Sequence, residues 1–142
     1  MLKTVNRRKA QLILDWCISK FGMSKFYDDY PRIRVYKSKG TSYRNKNVTN
    51  IMGTQFDGLI SIYFGNIKSY KELCNTIIHE YKHYLLSDAE YIRIDKLMSL
   101  KYKNDSYNLY YNHPHEIKAR KAEKKWGGVC YESLKKELHK RK

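Results

Sequence analysis

The chain is 142 residues long, 42% hydrophobic and 30% charged, with 29 Lys+Arg against 14 Asp+Glu and a formal net charge of +15. That length suits one domain, residues 1–142, with a single core and no room for a separate regulatory unit. No apolar run approaches the ~20 residues of a membrane span, and the basic stretch Met1–Lys9 has no apolar signal-type segment behind it, so a soluble cytoplasmic protein with no membrane partner is expected.

In chain order, residues 4–21 read as an amphipathic helix with Val5, Leu12, Ile13, Trp16 and Cys17 on its buried side and Gly22 as its stop. Pro31–Lys37 alternates, Ile33 and Val35 opposing Arg32, Arg34 and Tyr36, as in a strand with one wet face. Lys39–Asn50 is polar and predicts a loop or hairpin leading into Val48–Met52. Gly58–Gly65 carries Ile60, Ile62 and Phe64 on one face of a strand bounded by glycines.

Residues 69–87 form the most informative helix. Leu73, Cys74, Ile77, Ile78, Tyr81, Tyr84 and Leu85 fall in one sector of about 140° at ~100° per residue. His79, Glu80 and His83 occupy another sector and spell H-E-x-x-H. Histidines four apart project from one helix face about a turn apart, as binding of one metal requires. Glu80, beside them, is placed to take a proton from a water acidified by zinc.

Catalytic zinc takes three protein ligands. The longer pattern that would supply Gly at position 86 and His at 89 is not met, since Leu86 and Ala89 stand there. After an expected helix at Asp88–Lys103 and a tyrosine-rich connection at Asn104–Asn112, His113-Pro114-His115-Glu116 reads as a helix start with Pro114 in its first turn. On that helix Glu116, Arg120 and Glu123 share a face, and Ala119 and Ala122 would let it approach a neighbour closely. Glu116 is the leading candidate for third ligand, with Glu123, His113 and His115 as the other donors within reach of the motif. Tyr110 or Tyr111 is a candidate hydrogen-bond donor to the oxyanion of a tetrahedral intermediate. Gly127-Gly128 predicts a break before a last helix at residues 129–139.

His79–His83 followed by Pro114-x-Glu116-x-x-Ala119 is similar to the gluzincin metallopeptidases, especially the small intracellular ImmA/IrrE and SprT-like groups and phage-encoded minimal peptidases. The resemblance covers residues 58–126. It implies an α+β, zincin-like fold, with a small antiparallel or mixed sheet packed on the H-E-x-x-H helix and further helices. It also implies a zinc cofactor with Glu116 as third ligand, and a protein or peptide substrate paired with an edge strand at Gly58–Gly65. The chain would act in the cytoplasm and, if phage-encoded, in the host cell or virion.

Cys17, Cys74 and Cys130 are odd in number, widely spaced and in no C-x-x-C arrangement, which argues against both a disulfide framework and a structural zinc knot. Cys17 and Cys74 read as core filler. Charge is uneven: residues 1–47 carry 12 basic and 3 acidic side chains, residues 113–142 carry 10 and 4, and residues 48–100 carry 5 and 6. Basic flanks around a near-neutral centre suit nucleic acid or an acidic assembly. A basic nucleic-acid-binding module with an inactive or structural metal site is therefore the alternative to a peptidase, and a peptidase recruited to DNA-bound or virion proteins joins the two.

Overall fold

The computed structural model describes residues 6–26, 30–37, 40–44, 47–86, 93, 96–97, 100 and 111–140, with backbone alone for 40–44 and 47–51. Helix α1 spans Arg7–Phe21, five strands follow, β1 (Arg32–Tyr36), β2 (Gly40–Arg44), β3 (Asn47–Ile51), β4 (Gly53–Phe56) and β5 (Leu59–Tyr63), and then come α2 (Tyr70–Tyr84) and α3 (Pro114–Leu138). The fold class is α+β. Of the helix expected at Asp88–Lys103, the described residues Arg93, Lys96, Leu97 and Leu100 are helical; its other residues and Asn104–Tyr110 lie outside those described.

Local chemistry sets the helix ends. Asn6 caps α1 by accepting from the Lys9 amide, Ser69 caps α2 by accepting from the Glu72 amide, and His113 caps α3 through Nδ1, which accepts from the His115 amide. The α1 stop at Gly22 is as expected, while Thr4 and Val5 lie outside the described residues.

The sheet has the order β1-β5-β4, with β1 parallel and β4 antiparallel to β5. The β1–β5 register sets Ile33 beside Ile60 and Val35 beside Ile62, and Tyr36 stacks on Tyr63 with centroids 5.3 Å apart. β5 is thus the central strand, which corrects the expectation of an edge at Gly58–Gly65; β4 is the edge on that side. Buried on both flanks by paired neighbours, β5 reads as apolar because it is interior. The β4–β5 connection is Asp57-Gly58, both at positive φ (48° and 82°), the two-residue turn that an Asp-Gly pair favours. The polar stretch before it forms the antiparallel hairpin β2–β3.

Ala10, Ile13, Leu14 and Cys17 of α1, Ile33, Ile60 and Ile62 of the sheet, and Leu73, Cys74, Ile77, Ile78 and Tyr81 of α2 form one core with Ala122, Cys130 and Leu138 of α3. Leu73, Ile77 and Ile78 are completely buried, each worth on the order of 1.5–3 kcal/mol. Each helix supplies one of the three buried cysteines, and burial raises the Cys17 thiol. No described helix is long and apolar enough to cross a membrane.

The expected break at Gly127-Gly128 does not occur, since α3 runs unbroken for 25 residues. The reason is packing. A Cβ at Gly127 would lie 1.7 Å from Asn75 Oδ1, so α2 approaches α3 where there is no side chain to hold it off. That contact outweighs the ~1 kcal/mol that glycine costs inside a helix.

Candidate metal centre

The three donors come from two helices that run antiparallel along one seam. His79 and His83 lie on the last turns of α2, opposite the apolar stripe that anchors it, and Glu116 sits in the first turn of α3. Ala119, fully buried, and Ala122 keep the helices close enough for a short carboxylate to span the gap, as expected from the sequence.

Glu116 reaches both imidazoles, its Oε2 lying 3.0 Å from His79 Nε2 and its Oε1 2.6 Å from His83 Nε2. One donor atom from each residue lies within 4.8 Å of the other two, and among the described residues this is the one such group able to hold a metal ion. Three ligands at a typical metal–ligand distance of about 2.0–2.1 Å lie about 3.3–3.5 Å apart, a spacing comparable to that between Glu116 and the two imidazoles. Two imidazole nitrogens and one carboxylate oxygen are a donor set that could hold a metal ion.

Two of the other proposed donors lie away from the cluster. His113 and His115 are buried, stacked edge to face with centroids 5.1 Å apart, and His113 serves as the helix cap. Glu123 is in the site but on the other side of the ring: its Oε2 lies 2.7 Å from His79 Nδ1, so His79 is gripped from both ends. A carboxylate on the non-ligating nitrogen fixes the tautomer and orientation of a metal-binding histidine. That role was not read from the sequence, and its signal was present in the shared face of Glu116, Arg120 and Glu123.

The electrostatics follow from these pairs. Burial alone would lower His79, but the Glu116 and Glu123 carboxylates outweigh it and push its pKa up to about 10. Burial likewise opposes ionisation of Glu116, and the two imidazoles overcome it, holding the carboxyl well below its usual range. Glu80 moves the opposite way. Burial raises it, only partly offset by His79 and His83. The edge strand passes closely there: a Cβ at Gly53 would lie 2.9 Å from Thr76 Cγ2 and 3.3 Å from Glu80 Cγ.

Tyr110 lies outside the described residues. Tyr111 is 46% exposed and is engaged with Arg120, whose guanidinium sits 3.9 Å from the tyrosine ring centroid and donates from Nη2 to the tyrosine carbonyl. No protein-family model, curated protein or solved structure matches this chain.

Proposed function

We propose that the chain is a zinc-dependent endopeptidase with a zincin-like domain and a gluzincin ligand set. The observation that carries the reading is the convergence of His79, His83 and Glu116 on one point, with the half-buried Glu80 on the same helix and the β4 edge passing over it. His79, His83 and Glu116 would hold the zinc, which when bound supplies Lewis acidity toward a peptide carbonyl and acidifies water.

This chain's own residues do the rest. Glu80, with its proton affinity raised by burial, takes the proton of the attacking water and returns it to the departing amine. Glu123 holds the His79 ring in register through Nδ1. The β4 edge, unpaired among the described residues, rather than β5, would offer backbone groups to an extended peptide.

Glu80→Gln tests the reading. It should leave zinc and fold intact and lower cleavage of a denatured-protein or peptide library by about 10²–10⁴-fold, while a chelator abolishes the wild-type activity. Wild-type and Glu80→Gln proteins cleaving at the same chelator-sensitive rate would refute it.

A second reading, recruitment to nucleic acid, is favoured by the way the two basic flanks meet. Arg8 of α1 and Lys140 beyond α3 line one cleft of about 260 Å³ with Lys9, Leu12 and Glu137. Lys9 itself is buried against Tyr70, donating to its hydroxyl at 2.8 Å, so it belongs to the packing. DNA binding at low salt should then weaken steeply with added salt, and replacing Arg7, Arg8, Lys135 and Lys136 by Gln should flatten that slope. No binding of DNA or RNA at low salt would remove this reading.

A further inference from the structure

We propose that the groove along the α2/α3 seam next to the metal cluster is a subsite for acidic side chains of the peptide substrate. The inference rests on the peptidase reading and adds a substrate class to it. At four-residue spacing Lys71, Asn75, His79 and His83 form one stripe of α2, so the stripe that carries the imidazoles continues toward the start of the helix. Across the seam α3 offers Arg120, Glu123, Lys124 and Lys125, and together with Lys71 and Asn75 these line a cleft of about 560 Å³.

The cleft's charge is one-sided. Glu123 is the single acid in its lining, and its Oε2 is already committed to His79 Nδ1 at 2.7 Å. Against it stand four cations. Arg120 is held in place by the Tyr111 ring and carbonyl, and its fork keeps further N–H donors for a carboxylate. Lys71 and Lys124 are exposed, and no carboxylate among the described residues is paired with either. Because Glu123 belongs both to the cleft wall and to the His79 clamp, the cleft adjoins the metal cluster on the Nδ1 side of His79.

Spacing sets which substrate positions it reads. Arg120 lies one helical turn and Lys124 two turns beyond Glu116, about 6 and 12 Å along the axis. An extended peptide advances about 3.3 Å per residue, so the cations meet side chains roughly two to four residues from the scissile bond. A peptide can keep its acids at those positions and present neutral residues to Glu80, Glu116 and Glu123. A nucleic-acid strand carries a phosphate on every nucleotide and would set one against those carboxylates, which favours the acidic peptide as occupant.

The test is fluorescence anisotropy on the full zinc-loaded chain, wild type and Glu80→Gln. The probes are a labelled peptide rich in Asp and Glu, a neutral peptide of the same length, and single-stranded DNA of the same charge. The acidic peptide should bind about ten-fold tighter or more than the neutral one. Arg120→Gln/Lys124→Gln should abolish the difference with zinc content unchanged. Lys71→Gln/Lys124→Gln, which touches only exposed side chains, should reduce it even if the first variant folds poorly. Arg8→Gln should leave it intact. Equal binding of the two peptides, a preference that survives both double variants, or DNA binding tighter than the acidic peptide with Arg120 and Lys124 controlling it would overturn the proposal. A preference for the acidic peptide without any cleavage by wild type would leave the subsite standing and remove the peptidase reading.

Discussion

The two ends of the α2/α3 seam solve the same problem in opposite ways. At the metal end, charged side chains bridge the helices: Glu116 to His79 and His83, and Glu123 to His79. Further along, at the Gly127 crossing, the helices meet by close approach instead. Gly127 has no side chain, and Asn75 occupies the space its Cβ would take. The glycine lies 11 residues beyond Glu116, about 16 Å along the helix, yet it sets how near α3 can come to α2. The close approach at Gly127 is consistent with a carboxylate as short as glutamate reaching two imidazoles.

The largest contrast between the ends should appear with pH. The folded-state pKa of His79 lies near 10, above its ordinary 6.5, so its stabilising contribution is full below about pH 6.5 and fades as pH rises toward 10. Glu116 lies below its ordinary 4.5, so its contribution is full above about pH 4.5 and is lost as pH falls. The metal-free chain should therefore be held most firmly by this cluster between about pH 4.5 and 6.5, by a few kcal/mol at most. Zinc needs the imidazoles unprotonated, so its affinity should rise with pH through the same range in which the metal-free cluster weakens. Thermal melts with and without zinc across pH 5–9 check both halves. A metal-free melt flat between pH 6.5 and 9 would contradict the His79 clamp.

Glu123→Ala removes half of that clamp but no proposed ligand. Zinc affinity should fall by about 10–100-fold, measured by competition with a chromophoric chelator, and His79 should titrate closer to its ordinary range by NMR. Next in size is Gly127→Ala, which should destabilise the fold by about 1–3 kcal/mol and loosen zinc, and Asn75→Ala added to it should restore most of the loss. The smallest effect has the opposite sign. A Cβ at Gly128 meets nothing within 4 Å, so Gly128→Ala should stabilise by up to about 1 kcal/mol through helix propensity. If the two glycine variants behave alike in denaturant melts, Gly127 does not set the seam.

What was legible in the sequence was local. His79, Glu80 and His83 declare themselves because helical period converts spacing into a shared face, and the stripe Leu73–Tyr84 is buried as that period requires. The choice of Glu116 over Glu123, His113 and His115 depended on where α3 lies against α2, a long-range contact that spacing leaves open. The place of β5 in the sheet was misread for a similar reason, since edge or centre is decided by partners distant in the chain. The Asp57-Gly58 turn, by contrast, carried a signal that marks β4 as its hairpin partner. At Gly127-Gly128 local propensity pointed to a break, and tertiary packing prevailed. Cys17, Cys74 and Cys130 looked unrelated by spacing, but all three are buried, and Cys74 hydrogen-bonds Cys130, which with burial keeps its thiol protonated.

Zinc titration of the purified chain, followed by metal content after desalting, tests the ligand set most directly when run on wild type, Glu116→Ala, Glu123→Ala and His115→Gln. The expected result is one zinc per wild-type chain, its loss in Glu116→Ala, weaker but full-stoichiometry binding in Glu123→Ala, and no change in His115→Gln. No zinc in wild type, or equal affinity in all four proteins, would contradict a metal centre built from His79, His83 and Glu116.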